Sequence, residues 1–125
     1  MPSLNRVQLI GNLGRDPEAR FTANGKKYAT FTLAVNRSWR TATGEKHEHT
    51  DWFLVNAWGK LGEICLQYAK KGRLVYVDGR LNSEHWEDKG ESHSRTTVVA
   101  QQMQLLDRRA EEPEEIEAVV DDGME

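Results

Sequence analysis

Apolar and polar side chains alternate along most of residues 1–106, and this period of two gives way to helical spacing between Lys60 and Lys71. Strict alternation marks strands with one buried face, whereas apolar groups three and four residues apart mark an amphipathic helix. Residues 6–11 read as a strand with Val7 and Leu9 on one face. Turn signals follow at Asp16-Pro17 and Asn24-Gly25. Residues 28–37 form a second strand, with Phe31, Leu33 and Val35 opposite Thr30, Thr32 and Asn36. Residues 41–50 are polar, contain Gly44 and read as a loop; residues 52–58 are a third strand. Leu61, Ile64, Cys65 and Tyr68 then make the core-facing stripe of a helix, with Lys70 and Lys71 at its C-terminus and Gly72 ending it. Residues 73–81 return to strand character, residues 87–94 read as a polar hairpin tip around Gly90, and residues 95–106 form the last strand.

The expected order is β-β-β-α-β-β, with the helix between strands three and four. It predicts an all-β domain with one helix, the OB-fold: a five-stranded Greek-key barrel that often binds oligonucleotides. Other small barrels share such an order. The domain is expected to span residues 1–109. Residues 110–125 offer little beyond Ile116, Val119 and Val120 to bury, so they read as a disordered acidic C-terminal tail.

Charge divides at the same place. The chain has 17 Lys and Arg against 20 Asp and Glu, a net charge of −3. Every basic residue lies at or before Arg109, and eight of the acids lie from Glu111 onward. That leaves 12 acids against 17 bases before the tail, a body charge of +5. A basic body with an acidic tail is an interaction pattern that the whole-chain charge conceals. One cysteine excludes an internal disulfide and the common zinc frameworks. No membrane-length apolar run or signal-peptide pattern is present, which predicts a cytoplasmic protein without a membrane partner. His47 and His49 lack a third ligand nearby, Asn36-Arg37-Ser38 fits a strand end better than a glycosylation site, and no nucleophile–base arrangement stands out. No enzyme, metal or cofactor is expected.

The third strand carries the most information. Alternation puts Trp52, Leu54, Asn56 and Trp58 on one face and Phe53, Val55 and Ala57 on the other. The smaller, more regular set suits a barrel core, which turns two tryptophans outward beside Lys60 and the loop residues Arg40 and Lys46. Trp39 and Trp86 sit in polar surroundings that are not obvious core sites. Outward tryptophans suit base stacking, with Lys and Arg tracking phosphates. A protein–protein interface remains the rival for Trp52 and Trp58.

These residues also carry a family resemblance. The run Asn5-Arg6-Val7-Gln8-Leu9-Ile10-Gly11-Asn12-Leu13-Gly14-Arg15-Asp16-Pro17-Glu18 resembles the opening of bacterial single-stranded DNA-binding proteins. Phe31-Thr32-Leu33-Ala34, Ser38-Trp39-Arg40, Thr43-Gly44-Glu45, Thr50-Asp51-Trp52, Gly59-Lys60-Leu61, Lys70-Lys71-Gly72 and Val75-Tyr76-Val77-Asp78-Gly79-Arg80-Leu81 continue it in order over residues 4–106. The resemblance implies an OB-fold, a homotetramer, and sequence-tolerant binding and protection of single-stranded DNA in replication, recombination and repair. It implies stacking by Trp39, Trp52, Trp58 and Trp86, and phosphate contacts from Arg6, Arg20, Lys60, Lys70, Lys71 and Arg95. Two departures weaken the basic surface: Leu54 stands where the family often has arginine, and Asn82-Ser83-Glu84-His85 lacks its usual basic residues. The family's tail recruits replication and repair proteins through a Pro-Phe tip. This sequence closes on Asp121-Asp122-Gly123-Met124-Glu125, so docking by that route is not expected. A primosome-accessory relative contacting proteins through the same sheet, and a small hydrolase on a similar barrel, are the alternatives.

Overall fold

The computed structural model describes residues 1–107 and the pair Ile116–Glu117. The elements run β1 (Val7–Leu13), β2 (Glu18–Phe21), β3 (Lys27–Arg40), β4 (Lys46–Trp58), α1 (Gly59–Tyr68), β5 (Leu74–Asp88), β6 (Glu91–Leu105) and β7 (Ile116–Glu117). β1 pairs antiparallel with both β5 and β3, β5 with β6, and β3 with β4. A short parallel contact, Val55↔Val98 and Asn56↔Val99, joins β4 to β6. Five strands therefore close in the circuit β1-β5-β6-β4-β3, the OB-fold expected from the element order. β2 extends the β3 edge and β7 pairs with β6. A register shift between Asp78 and Gly79 marks where β5 bends out of the barrel.

Phe31, Leu33, Val55, Val75, Val77, Val98 and Met103 fill the barrel, each at most 1% exposed. α1 adds Leu61 and Cys65, with Ile64 and Tyr68 partly buried beside them, as its apolar stripe requires. Gly59 turns β4 straight into this helix at φ +59°, a left-handed conformation that disfavours other residues. Cys65 Sγ lies 3.2 Å from the Met103 sulfur, and burial pushes its thiol up to about 12. It is therefore a packing residue rather than a nucleophile. Val55 and Ala57 are fully buried and Phe53 partly so, which places that face of β4 inward as expected.

Three expectations about element bounds need correction, and one strand, β2, has no counterpart in the expected order. The loop expected over residues 41–50 is a tight turn, closed by the Thr41 amide donating to the Glu45 carbonyl at 2.9 Å. Residues 46–50 are instead paired with residues 36–40. The hairpin tip expected over residues 87–94 reduces to Lys89 and Gly90, both at positive φ as in a type I′ turn. In both places the strands run beyond the core, so neither face is buried and no alternation marks them. β2, four exposed residues, carries no apolar signal for the same reason. The helix ends at Tyr68 rather than at Lys71, so Lys70 and Lys71 lie in the turn that follows it. There the Lys71 amide donates to Asp16 Oδ1 at 2.8 Å and the Gly72 amide to the Leu13 carbonyl at 2.8 Å. Those bonds to the β1 end take the place of another helical turn. The disordered tail expected over residues 110–125 lies outside the described residues, apart from β7.

Candidate nucleic-acid interface

Beyond the barrel mouth β3–β4 and β5–β6 continue as two hairpin arms, and the outer face of β4 lies between their bases. Trp52 is 60% exposed, and its ring covers Gly14, the residue after β1: a Cβ there would stand 2.6 Å from the indole. The absence of a side chain at Gly14 is what lets the ring lie flat on the barrel wall. Trp58, expected to project outward, is half-buried. Its ring stacks on Tyr28, its cross-strand partner, with centroids 4.4 Å apart, and Lys26 Nζ lies 5.9 Å from its centroid. Cross-strand aromatic pairing of this kind holds both rings in place.

Two adjoining depressions of about 220 Å³ each hollow this face. One is lined by Thr22, Tyr28, Asn56, Trp58, Arg80, Asn82, Glu84 and Val99. The other is lined by Arg15, Arg20, Tyr28, Thr30, Leu54, Asn56 and Arg95. Tyr28 and Asn56 belong to both, so the depressions form one groove crossing β3, β4 and the base of the β5–β6 arm. A larger hollow on the β3–β4 arm, lined by Asn36, Arg37, Ser38, Glu48, His49 and Thr50, has no Trp, Tyr or Phe in its wall.

Each arm carries the same device. On β5–β6, Trp86 stacks on His93 across the strands at 5.5 Å, the Arg95 guanidinium lies 5.6 Å from the Trp86 ring, and Glu84 pairs with Arg95 at 3.1 Å. On β3–β4, Trp39 stacks on His47 at 5.7 Å, Arg37 lies 5.2 Å from the Trp39 ring, and Asp51 pairs with Arg37 at 3.0 Å. Both tryptophans are 45% exposed. Their positions relative to the groove differ. Trp86 alternates on one face of β5 with Glu84, Asn82 and Arg80, which line it. The β3–β4 ladder runs without a bulge from Tyr28↔Trp58 to Arg40↔Lys46. Trp39 therefore shares the face of Phe31 and Val35, opposite the face carrying Trp52 and Trp58.

The expected phosphate residues divide in the same way. Arg20 and Arg95 line the groove. Arg6 lies across β1–β5, where its guanidinium donates to both Asp78 carboxylate oxygens at 3.1 and 2.6 Å. The Tyr76 hydroxyl also donates to Asp78, at 3.1 Å. Hydrogen bonding and charge from Asp78 raise the Arg6 pKa, and the same bond from Arg6 leads in lowering that of Asp78. Arg40 donates to the Gly44 carbonyl at 3.2 Å in the arm turn, and Lys46 sits 3.5 Å from Glu48. Lys60 is exposed on the first turn of α1, and Lys70 Nζ reaches the Leu66 carbonyl at 3.4 Å. Lys60, Lys70 and Lys71 are not part of the groove lining.

Sequence reasoning missed Tyr28, Arg15 and Arg80 as groove residues and took Asn56 only as an outward position. Opposition of Tyr28 to Trp58 was legible only from the strand register. Among the described residues no cluster of three metal-ligating side chains forms, and no helix is long and apolar enough to cross a membrane.

Residues 4–106 match the model of the single-strand binding protein family. The chain is 47% identical over 105 residues to single-stranded DNA-binding protein 1 of Chlorobaculum tepidum, covering 82% of this chain and 65% of that protein. It is 42% identical over 110 residues to the single-stranded DNA-binding protein of Neisseria meningitidis, covering 87% and 63%. The chain thus spans somewhat under two thirds of the length of these curated relatives. Among solved structures, a Plasmodium falciparum SSB in complex with ssDNA aligns at a TM-score of 0.78 and 32% identity, covering 85% of this chain and 97% of that one. A deletion mutant of the single-stranded DNA binding protein from Thermus aquaticus aligns at 0.73 and 32% identity, covering 82% and 50%. With the family model matched along the whole barrel, and with relatives this similar, the chain belongs to the single-strand binding protein family.

Proposed function

We propose that this chain binds and protects single-stranded DNA with little sequence preference, as a cytoplasmic homotetramer acting in replication, recombination and repair. The observation that carries the reading is one outer face on which Trp52, Trp58 and Trp86 stand beside Arg15, Arg20 and Arg95, on a barrel of this family. Every base has a ring face, so stacking on such rings is sequence-tolerant and worth roughly 1–3 kcal/mol per base. Guanidinium groups beside the rings meet phosphates and add an affinity that falls with salt. The role is binding, with no reaction assigned to any residue.

In this reading Trp52, Trp58 and Trp86 stack bases along the groove, and Trp39 takes a base on the far side of the β3–β4 arm. Arg20 and Arg95 take the nearest phosphates. Arg40, Lys46, Lys60, Lys70 and Lys71 extend the cationic path around the subunit. Arg6 first serves Asp78. Arg6, Arg20, Lys46 and Arg95 each already face a carboxylate, which supports a shallow salt dependence. Titration with oligo-dT, followed by tryptophan fluorescence over a salt series on protein of known light-scattering mass, tests the reading. Strong quenching with a tetramer mass is expected; absence of quenching would end it.

A further inference from the structure

The chain has four histidines, and the fold uses two of them alike. His47 and His93 are each the cross-strand partner of an arm tryptophan, with the ring planes only 20° and 22° apart. Both histidines are exposed, so neither stack is there to fill a core. Two hairpins that share no residue thus carry the same trio of tryptophan, histidine and arginine. The other two histidines are placed differently. His49 Nε2 lies 3.3 Å from Asp51 Oδ1, and His85 stands opposite Ser94 on the face of β5 that Trp86 does not share.

A phenyl ring would pack against an exposed indole at least as well. What an imidazole adds is a charge that appears between about pH 8 and pH 5. The groups facing each imidazole decide what that charge meets. Beside His93 stand Glu84 and Arg95, already paired with each other at 3.1 Å. Toward the tip of the same face Asp88 opposes Glu91, with Lys89 in the turn. Beside His47 stand Arg37 and Asp51, paired at 3.0 Å, together with His49, and Glu45 lies in the turn. Each arginine is offset by its own carboxylate. The indole face favours a cation laid against it, and a phosphate brought in by a base on the exposed tryptophan favours it further.

We propose that His47 and His93 are proton-linked DNA contacts: each takes up a proton as a phosphate settles beside its tryptophan, so affinity for the strand rises as pH falls. The proposal rests on the single-stranded DNA reading above. Its sign follows from linkage. The complex holds the protons more tightly than the free chain, so the gain is complete where both are protonated and is lost as pH rises. Phosphates and imidazolium groups meet at every base type, which keeps the binding sequence-tolerant.

The test uses fluorescence anisotropy of a dye-labelled oligo-dT long enough to pass around both arms. It is titrated with the full chain at constant ionic strength, at about pH 6 and about pH 8. Thymine and the phosphodiester keep their charge over this range, so any pH dependence belongs to the protein. Wild-type affinity should be at least about fivefold higher at the lower pH. Calorimetry near neutral pH, in two buffers of different ionisation enthalpy, should show net proton uptake on binding. The double variant His47→Gln, His93→Gln should bind close to the wild type at the higher pH and lose most of the gain at the lower one. The double variant His49→Gln, His85→Gln should keep the gain. Equal wild-type affinity at the two pH values, or binding without proton uptake, overturns the proposal, and neither arm needs a variant. A His47→Gln, His93→Gln protein that keeps the gain overturns it too, as does one that loses equally at both pH values, which is a packing effect alone. If oligo-dT binds normally but without pH dependence, only the histidine role falls. If it binds at neither pH, the DNA-binding reading itself falls and takes this proposal with it.

Discussion

β3, β4, β5 and β6 each do two things along one continuous run of backbone. In the barrel β3 alternates buried with half-buried positions, β4, β5 and β6 bury runs of three or four residues, and Phe31, Leu33, Val55 and Val98 are sealed inside. In the arms the same ladders continue, yet almost every residue is exposed. The barrel half is held by burial, which contributes roughly 25 cal/mol per Å² of apolar surface removed from water. The arm half is held by pairs across the strands: Trp39 on His47, Trp86 on His93, and the Thr50 hydroxyl donating to Asn36 Oδ1 at 2.6 Å. Such pairs contribute only about 0.2–1 kcal/mol each. Exposed rings have little burial to lose and a partner to gain, so the part of each strand that stabilises the fold least is the part best suited to bind.

The comparison breaks most readily at the core. Phe31→Ala should remove about 3–5 kcal/mol of stability, read by denaturant unfolding, because it leaves a cavity in a closed barrel. Trp86→Ala should show the reverse pattern. Its unfolding should change by less than about 1 kcal/mol, while affinity for a short oligo-dT falls roughly 5- to 150-fold, the worth of one base stack. Trp39→Ala sharpens the contrast between arms: on the same short oligomer its loss should be smaller, because Trp39 faces away from the groove, and it should grow with oligomers long enough to pass around the arm. Equal losses for both variants on the short oligomer would break the two-sided picture.

Charge separates the regions more gently. Arg95→Ala should flatten the log–log salt dependence of binding by up to about 0.7, the contribution of one phosphate on a single strand, with the Glu84 pairing drawing it below that. Arg6→Ala should leave that slope unchanged, since Arg6 is engaged by Asp78 on the barrel wall.

The smallest effect is acid stability. Asp78 titrates below the ordinary carboxylate value of about 3.9, chiefly through its bond from Arg6. Asp107 does so as well: burial pushes it up, but the Arg73 guanidinium and the Leu74 amide bring it net below. A depressed folded-state pKa means stability that is complete above the unfolded value and lost as pH falls through the folded one. Unfolding midpoints should therefore decline below about pH 4, with a gentler decline in Asp78→Asn. Oligo-dT binding by Asp78→Asn at neutral pH should be unchanged, because Asp78 lies outside the groove.

How much was legible beforehand follows from the same division. Wherever one face of a strand is buried, alternation is written into the residues, so residues 28–35 and 52–58 revealed both their strands and their inward faces. The helix stripe of Leu61, Ile64, Cys65 and Tyr68 was legible for the same reason. The arms were not, because a ribbon wet on both faces imposes no period: residues 46–50 and 87–94 read as loops. Opposition of Trp39 to His47, of Trp86 to His93 and of Tyr28 to Trp58 depends on register, which turn lengths and the closed circuit of strands decide.

The sequence by itself determined the barrel, its single helix, the family, and the outward direction of Trp52, since local periodicity and ordered motifs carry that information along the chain. Only the tertiary structure decided that Trp58 lies half-buried on Tyr28, that Trp39 and Trp86 stand differently toward the groove, that Arg6 is held by Asp78, and that the largely buried Asn56 lines both depressions of the groove. Each of these is a meeting of residues distant along the chain. Their consequences come from pairwise distance and shared burial, which no local pattern of residues records.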